Sequence, residues 1–394
     1  MQAVAQERGG VSGTLLGDYM AECRTLALDE LRRILPSTGS VGKVLYERML
    51  DYPMRDAKAL RPALCIATCR ALGGTLESVL KTAAVLELYH NAFLIHDDVE
   101  DGSDMRRNAP TLHKVYGVPI AVNIGDAMLA AALEPLLQNM AVLGLGKALR
   151  ILQTVATMAR ESAEGQATEL DWVRSGHWQL RQTDYLRMVH QKTTWYSFLS
   201  PMELGGLAAG ASELQRYRLR RFATSLGAAF QIQDDVLNLS SDEARYGKET
   251  AGDLWEGKHT LILSHVLRSC TDDERRVAIA ILAKRRPPSL GLALLPTHLD
   301  ALAASGDVSP AARRSLAELI DRELLQASYR TQADIDYLSE LIRRYRSCDD
   351  ARRVARTRAA RARKSLQSLS SFIPPSVHRD FLEGLVEFVT DRDR

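Results

Sequence analysis

The stretch HDDVEDGSDMRRNAPTLH (96–113) sets Asp97, Asp98, Glu100, Asp101 and Asp104 within eight positions and follows them with Arg106 and Arg107. On a helix at about 100° per residue, Asp101 stands about 40° from Asp97 and Asp98 about 100°, so three carboxylates share a face. His90 and Phe93 lie on the same stripe. Late in a helix the macrodipole is already negative, and each carboxylate left alone there costs roughly 0.3–1 kcal/mol. Mutual repulsion also raises their pKa values. A divalent cation removes both difficulties, and an all-oxygen donor set suits Mg2+ better than zinc. A solvated acidic run is the plainer account of such a patch. Against it, the preceding AFLI is too apolar for a solvent face, and the arginine pair offers planar donors that fit phosphate oxygens. Taken alone, this cluster leaves the two accounts balanced.

A second cluster tips that balance. AAFQIQDDVLNL carries Asp234 and Asp235, with Phe230, Gln231 and Asn238 near the same helix face. It repeats the construction of the first, 137 residues on (234 − 97). Two such helices facing each other would make a carboxylate-lined mouth above an apolar cavity, where metal ions could bridge a diphosphate. Cations surround the pair in sequence. Lys248, Asp253 and Lys258 lie in YGKETAGDLWEGKHTL, Lys192 and Thr193 in HQKTTW, and Lys58 and Arg61 in RDAKALRPAL, with His90 as a further donor. Any one lysine is more often surface decoration. As a set around two acidic helices they are harder to dismiss, since lysines are mobile point charges that can follow a leaving diphosphate.

These residues need rigid carriers, and the chain supplies helices. LGDYMAECRTLALDELRRIL, ESVLKTAAVLELYHNAFLIHDD and RRFATSLGAAFQIQDDVLNL repeat apolar residues at three- and four-residue spacing, and useful strand alternation is almost absent. The expected class is all-α. Residues 1–13 read as a flexible polar lead and 14–394 as a single all-α domain. Residues 285–310, with four prolines, read as an inserted long connection. Residues 352–364 (RRVARTRAARARK) read as a basic helix, either solvated or set against an anionic membrane surface or acidic partner. With 51 basic and 49 acidic residues, no bulk field favours nucleic acid. Five scattered cysteines fit the reducing cytoplasm, and Cys65 and Cys69 read as small core residues. No run reaches the ~18 apolar residues of a membrane span, and none is expected.

At this point the sequence resembles the trans-isoprenyl diphosphate synthases, or polyprenyl synthetases, from about Lys58 to Lys258 and more weakly beyond. HDDVEDGSDMRR is similar to the family's first Asp-rich motif with its paired arginines, and QIQDDVLN to the second. GKETAGDLWEGKHTL resembles the GK…GD…EGK segment, AKALRP the GGKRxRP motif, and GDAMLA around Asp126 a further box. The resemblance implies the isoprenoid synthase fold, a helical bundle around a deep central cavity, and usually a homodimer. It implies Mg2+ held by Asp97, Asp98, Asp101, Asp234 and Asp235, about three ions with substrate bound. Arg106, Thr193, Gln231 and Lys258, together with Lys192 and Lys248, would bind the allylic diphosphate. Lys58, Arg61, His90 and Arg107 would bind isopentenyl diphosphate. Asp97, Asp98, Asp101, Lys192, Asp234 and Lys248 would carry the catalysis, with no side-chain nucleophile.

There are departures. Asp56-Ala57 replace the two glycines of GGKRxRP, Ala59 replaces its middle arginine, Asn108 follows the arginine pair, and Asn238 stands at the last acidic position of the second motif. Ala59 bears on affinity for isopentenyl diphosphate, whereas the Asn238 amide oxygen could still orient a metal-bound water. Bulky Phe93 beside small Ala92 points to a medium product, geranylgeranyl diphosphate (C20) ahead of farnesyl diphosphate (C15). The competing readings are a terpene cyclase-like enzyme on the same scaffold and a non-catalytic partner subunit. The first would have little use for Lys58, Arg61 and His90; the second would be expected to have lost its aspartates.

Overall fold

The computed structural model describes residues 13–36, 41–240, 251–287, 290–327 and 329–390. As expected, these are almost wholly helical. The exception is a hairpin of two-residue strands, Met105–Arg106 and Ala109–Pro110, with an isolated bridge between Arg285 and Tyr329. The flexible lead read at 1–13 lies outside the described residues except for Gly13, which begins α1 (Gly13–Ile34).

Helix α2 (Leu60–Ala71) and helix α3 (Leu80–Asp101) form the centre. From Thr82 to Ala92 every residue of α3 is buried, so its apolar run is a core helix that delivers carboxylates at its last turn. α4 (Val118–Ala131), α5 (Leu133–Leu143) and the 31-residue α6 (Leu145–Ser175) follow, with α4 and α5 packed on α3. α7 (Gln182–Val189) runs into a π-helical segment, His190–Leu199, and then α8 (Ser200–Ala209) and α9 (Glu213–Ser240). The first core cluster centres on α1 to α6, α8 and the first half of α9. A second joins the C-terminal half of α9 to α10 (Gly252–Glu256), α11 (Leu261–Ser269) and α12 (Asp272–Leu282), with α15 (Gln332–Arg344) and α16 (Ser347–Gln367). α17 (Val377–Thr390) returns to α1, α2 and α9.

The π segment has a visible cause. A methyl at Gly165 of α6 would stand 2.3 Å from the Lys192 backbone nitrogen, and one at Gly227 of α9 would stand 2.8 Å from Thr194 Cγ2. The two flanking helices thus approach the segment closely enough to hold its wide turns, and such turns cluster at functional sites.

Two expectations change. Residues 285–310 are not a bare connection: Leu290–Ser305 and Pro310–Ala327 form helices α13 and α14, packed on each other. Pro287 lies just ahead of α13 and Pro310 opens α14, where a missing N–H costs little. Second, Val118–Leu143 is long and apolar enough by length and composition to cross a bilayer, contrary to the expectation of no such run. It is two helices, α4 and α5, that carry Asp126 and Glu134 and bury one side against α3.

Candidate active site

The C-terminal turns of α3 and α9 open on one cavity of about 580 Å3. Asp97 of α3 and Asp234 and Asp235 of α9 share its wall with Lys192, Lys258 and Asp253. The two acidic helices therefore face a common space. Its lower part is apolar, lined by Tyr89, Phe93, Leu94, Leu129, Ala159, Tyr196 and Phe230.

Each carboxylate has a distinct environment. Asp97 is 3.1 Å from Lys192 Nζ and 3.6 Å from Arg106, and Gln166 donates to it at 3.3 Å. Asp98 is buried and off the wall: Tyr52 donates to it at 2.6 Å and Arg106 holds it by a forked contact, with Nε at 2.9 Å. Asp101, also off the wall, pairs with Lys258 at 2.7 Å. Asp235 accepts from Tyr185 at 2.7 Å and Gln231 at 2.8 Å, and Gln231 accepts from Thr193 at 2.9 Å. Burial pushes both Asp101 and Asp235 up to about 7, against the pull of Lys258 on the first and of the Gln231 and Tyr185 hydrogen bonds on the second. Burial would lower Lys192, but Asp97 and Glu169 outweigh it and hold the ammonium charged.

This chemistry fits magnesium. The candidate ligands are all oxygen, and two carboxylates lie too deep to ionise freely without added positive charge. Among the described residues no three His, Cys, Asp or Glu side chains converge into a closed cage.

A second pocket of about 210 Å3 is lined by Lys58, Arg61, His90 and Arg107, with Glu87 and Phe388. The expected isopentenyl diphosphate set is thus brought together. Arg61, His90, Arg107 and Phe230 line both pockets, so the two spaces meet. Arg61 donates to Ser197 at 2.7 Å and lies 4.6 Å over the Tyr196 ring. Arg107, at φ +52, donates to the Tyr52 carbonyl at 2.5 Å and stands 3.3 Å from His90. Burial lowers its guanidinium to about 10. Ala59, the departure from GGKRxRP, is left-handed at φ 48 and lines this pocket.

Of the chain-length pair, Phe93 is on the wall, edge-on to Tyr196 at 5.4 Å, whereas Ala92 is sealed in the core. Lys248 lies outside the described residues. Asn238 differs from expectation: its amide oxygen accepts the Asp253 backbone N–H at 3.1 Å and so ties down the start of α10.

Sequence reasoning missed several partners. Glu169 pairs with Lys192, and Gln166, one turn before it, also donates to Glu100 at 2.6 Å. Glu256 holds Lys258 at 2.7 Å and Arg286 at 3.0 Å. Glu169 and Gln166 sit at helical spacing in EGQATEL, a pattern that periodicity alone could have placed on the cavity side.

A sequence model of the polyprenyl synthetase family matches residues 43–290. The chain is 34% identical over 241 residues to a short chain isoprenyl diphosphate synthase of Methanocaldococcus jannaschii, covering 61% of this chain and 72% of that one. It is 32% identical over 248 residues to a geranylgeranyl diphosphate synthase of Sulfolobus acidocaldarius, covering 63% and 74%. Its fold matches a Caulobacter crescentus polyprenyl synthase complexed with calcium and isoprenyl diphosphate at a TM-score of 0.71 and 26% identity, over 98% of this chain and all of that one.

Proposed function

The chain belongs to the polyprenyl synthetase family, and from that premise we propose that it condenses isopentenyl diphosphate with an allylic diphosphate. The reaction is a Mg2+-dependent trans-prenyl transfer, and we take geranylgeranyl diphosphate as its main product and farnesyl diphosphate as the next. The observation that carries this is the meeting of two pockets at Arg61, His90, Arg107 and Phe230, one acid-mouthed above an apolar cavity and one basic. A cyclase that only ionises one diphosphate has no use for the second, basic pocket.

In this reading Asp97, Asp234 and Asp235 on the cavity wall, with Asp101 behind them, would hold magnesium, which would supply charge neutralisation at the departing diphosphate, about three ions in all. Asp98 acts through Arg106, fixing the guanidinium beside Asp97. Lys192 and Lys258 stay protonated in a buried site and can take up the negative charge that develops as the C1–O bond breaks. Lys58, Arg61, His90 and Arg107 grip isopentenyl diphosphate so that its double bond faces the allylic carbon. The π faces of Phe93 and Tyr196 line the space where the cation forms and exclude water from it. The new C–C bond draws on the double bond, and a proton then leaves to the diphosphate. The product chain descends toward Phe93. All five cysteines are unpaired, which supports a reducing compartment such as the cytoplasm. Exposed apolar residues on α4, α5 and the start of α6 support a homodimer.

Incubation of the protein with Mg2+, isopentenyl diphosphate and each allylic primer, followed by sizing of the products, tests the reading. Longer diphosphates are expected. Hydrocarbons or alcohols formed without consumption of isopentenyl diphosphate would overturn it.

A further inference from the structure

Helix α16 carries seven basic residues between 352 and 364, and no acid between 351 and 367. Its inner face is Ala351, Val354, Ala355, Ala359, Ala362 and Leu366, packed mainly on α9. The basic residues are therefore not distributed around a solvated rod but displayed on its outside. Arg352 and Arg353 are answered by Asp349 and Asp350 in the first turn, and Arg363 is 3.8 Å from Glu387. Arg356, Arg358, Arg361 and Lys364 have no ion pair among the described residues. Burial and the like charge of Arg361 lower Arg358. Like charges at three- and four-residue spacing weaken a helix, and solubility alone is better served by mixed signs. The whole chain is nearly balanced, so this excess is local.

The strip is bordered by groups suited to an interface. At its end Arg218 of α9 donates to the Ser368 carbonyl at 2.5 Å and lies 4.8 Å over the Phe372 ring. Beside Arg218, Tyr217 and Leu214 are about half exposed. Arginine and lysine flanked by a tyrosine and a leucine are the groups that settle at the headgroup level of a bilayer.

We propose that the outer face of α16 docks the enzyme onto an anionic phospholipid surface. The site faces a different partner from the apolar residues of α4 and α5, against which α16 does not chiefly pack. It also goes beyond the transfer reaction, although a product with a long hydrocarbon tail gives the location a use. Each basic residue near an anionic leaflet favours binding about fivefold, so Arg356, Arg361 and Lys364 together give on the order of a hundredfold. The attachment is peripheral, reversible and screened by salt.

The test is co-sedimentation of the full-length protein with vesicles of neutral phosphatidylcholine, and with vesicles containing about 30% phosphatidylglycerol. Preferential binding to the anionic vesicles, lost at about 0.5 M salt, is expected. The charge-reversed variant R356E/R361E/K364E should bind at least tenfold more weakly while its turnover of soluble substrates stays unchanged. Should that variant fold poorly, the neutral R356Q/R361Q/K364Q carries the comparison, checked by thermal melting. Equal wild-type binding to both vesicle types, variants that bind like the wild type, or capture by polyglutamate but not by vesicles would each overturn the proposal; the last would point to an acidic protein instead.

Discussion

At the residue scale, the site divides into groups that spacing revealed and groups that only packing reveals. Asp97, Asp234 and Lys192 stood out because paired acids on apolar helices and a lysine between them have a shared use. Glu169 and Glu256 did not: Glu169 on its long helix looks like any solvated glutamate until Lys192 is seen against it, and Glu256, at the end of a five-residue helix, shows its use only when Lys258 and Arg286 are seen on it. Asp97→Ala and Asp234→Ala should each lower kcat by about 10²–10³-fold or more, because each removes stabilisation of developing charge in a water-poor site. Steady-state kinetics at saturating Mg2+ checks this, with circular dichroism to confirm the fold. Phe93→Ala should lengthen the product by at least one isoprene unit, since the ring closes the apolar cavity against Tyr196; unchanged product lengths would put the floor on another helix. His259 gives a pH prediction. Its ring stacks on Trp178 at 3.8 Å, and burial lowers it to about 4 from the ordinary 6.5, against weak upward pulls from Glu169 and from the His177 and Gly257 backbones. Between those values the unfolded chain binds a proton that the folded chain refuses. The contribution is therefore complete above pH 6.5 and is lost as pH falls toward 4, on the order of 2–3 kcal/mol. Asp101 and Asp235, pushed up to about 7, act in the opposite sense over the same range. The readout is hence a difference: urea midpoints at pH 7 and pH 5 should show less acid destabilisation, or more acid stabilisation, in His259→Gln than in the wild type.

At the element scale, helix class and order were legible because apolar residues at three- and four-residue spacing recur along the chain. The π segment at 190–199 was not. It has no composition signal, and what holds it is two glycines distant in sequence, Gly165 and Gly227. The helix inside 285–310 and the start of the next were hidden by four prolines, which read as breakers although Pro310 opens α14 and Pro296 lies within α13. The π segment is where an element sets chemistry, because it presents Lys192 toward Asp97 and the adjacent Thr193 toward Gln231. A methyl at Gly165 would lie 2.3, 2.7 and 2.9 Å from backbone atoms of Lys192 and Gln191, none of which can swing aside. Gly165→Ala must therefore shift the segment bodily. A displacement near 1 Å can cost about 10²-fold in rate. We expect kcat to fall and the KM for the allylic diphosphate to rise more than the KM for isopentenyl diphosphate, whose Arg61 meets the segment only at Tyr196 and Ser197, farther from Lys192. Gly146→Ala, at a position with nothing within 4 Å, is the control for helix propensity and should leave all three constants unchanged.

At the scale of the whole molecule, the most apolar stretch of helix is also among the least buried. Val118 and Val122, then Leu133, Leu137 and Met140, then Leu145 and Leu149, make three stripes at helical spacing, each residue more than a third exposed. A bilayer is one occupant for so apolar a run. The other side of α4 argues against it: Ala121, Ile124, Gly125 and Met128 are buried, and the His96 ring lies against Gly125 one residue from Asp97. Spanning a membrane would tear α4 from α3 and dismantle the acidic mouth. A second copy of the chain would cover the stripes without that cost, and a stable pair needs only about 800 Å2 from each partner. Sedimentation in detergent-free buffer should therefore give twice 43.7 kDa. Leu137→Glu with Met140→Glu puts two charges into the middle of the apolar surface, where they would have to be desolvated unpaired. That variant should sediment at 43.7 kDa while the helical circular dichroism is retained. A wild type that sediments as a monomer, or a variant that still pairs, would move the interface elsewhere; recovery of the wild type only in detergent would favour the bilayer.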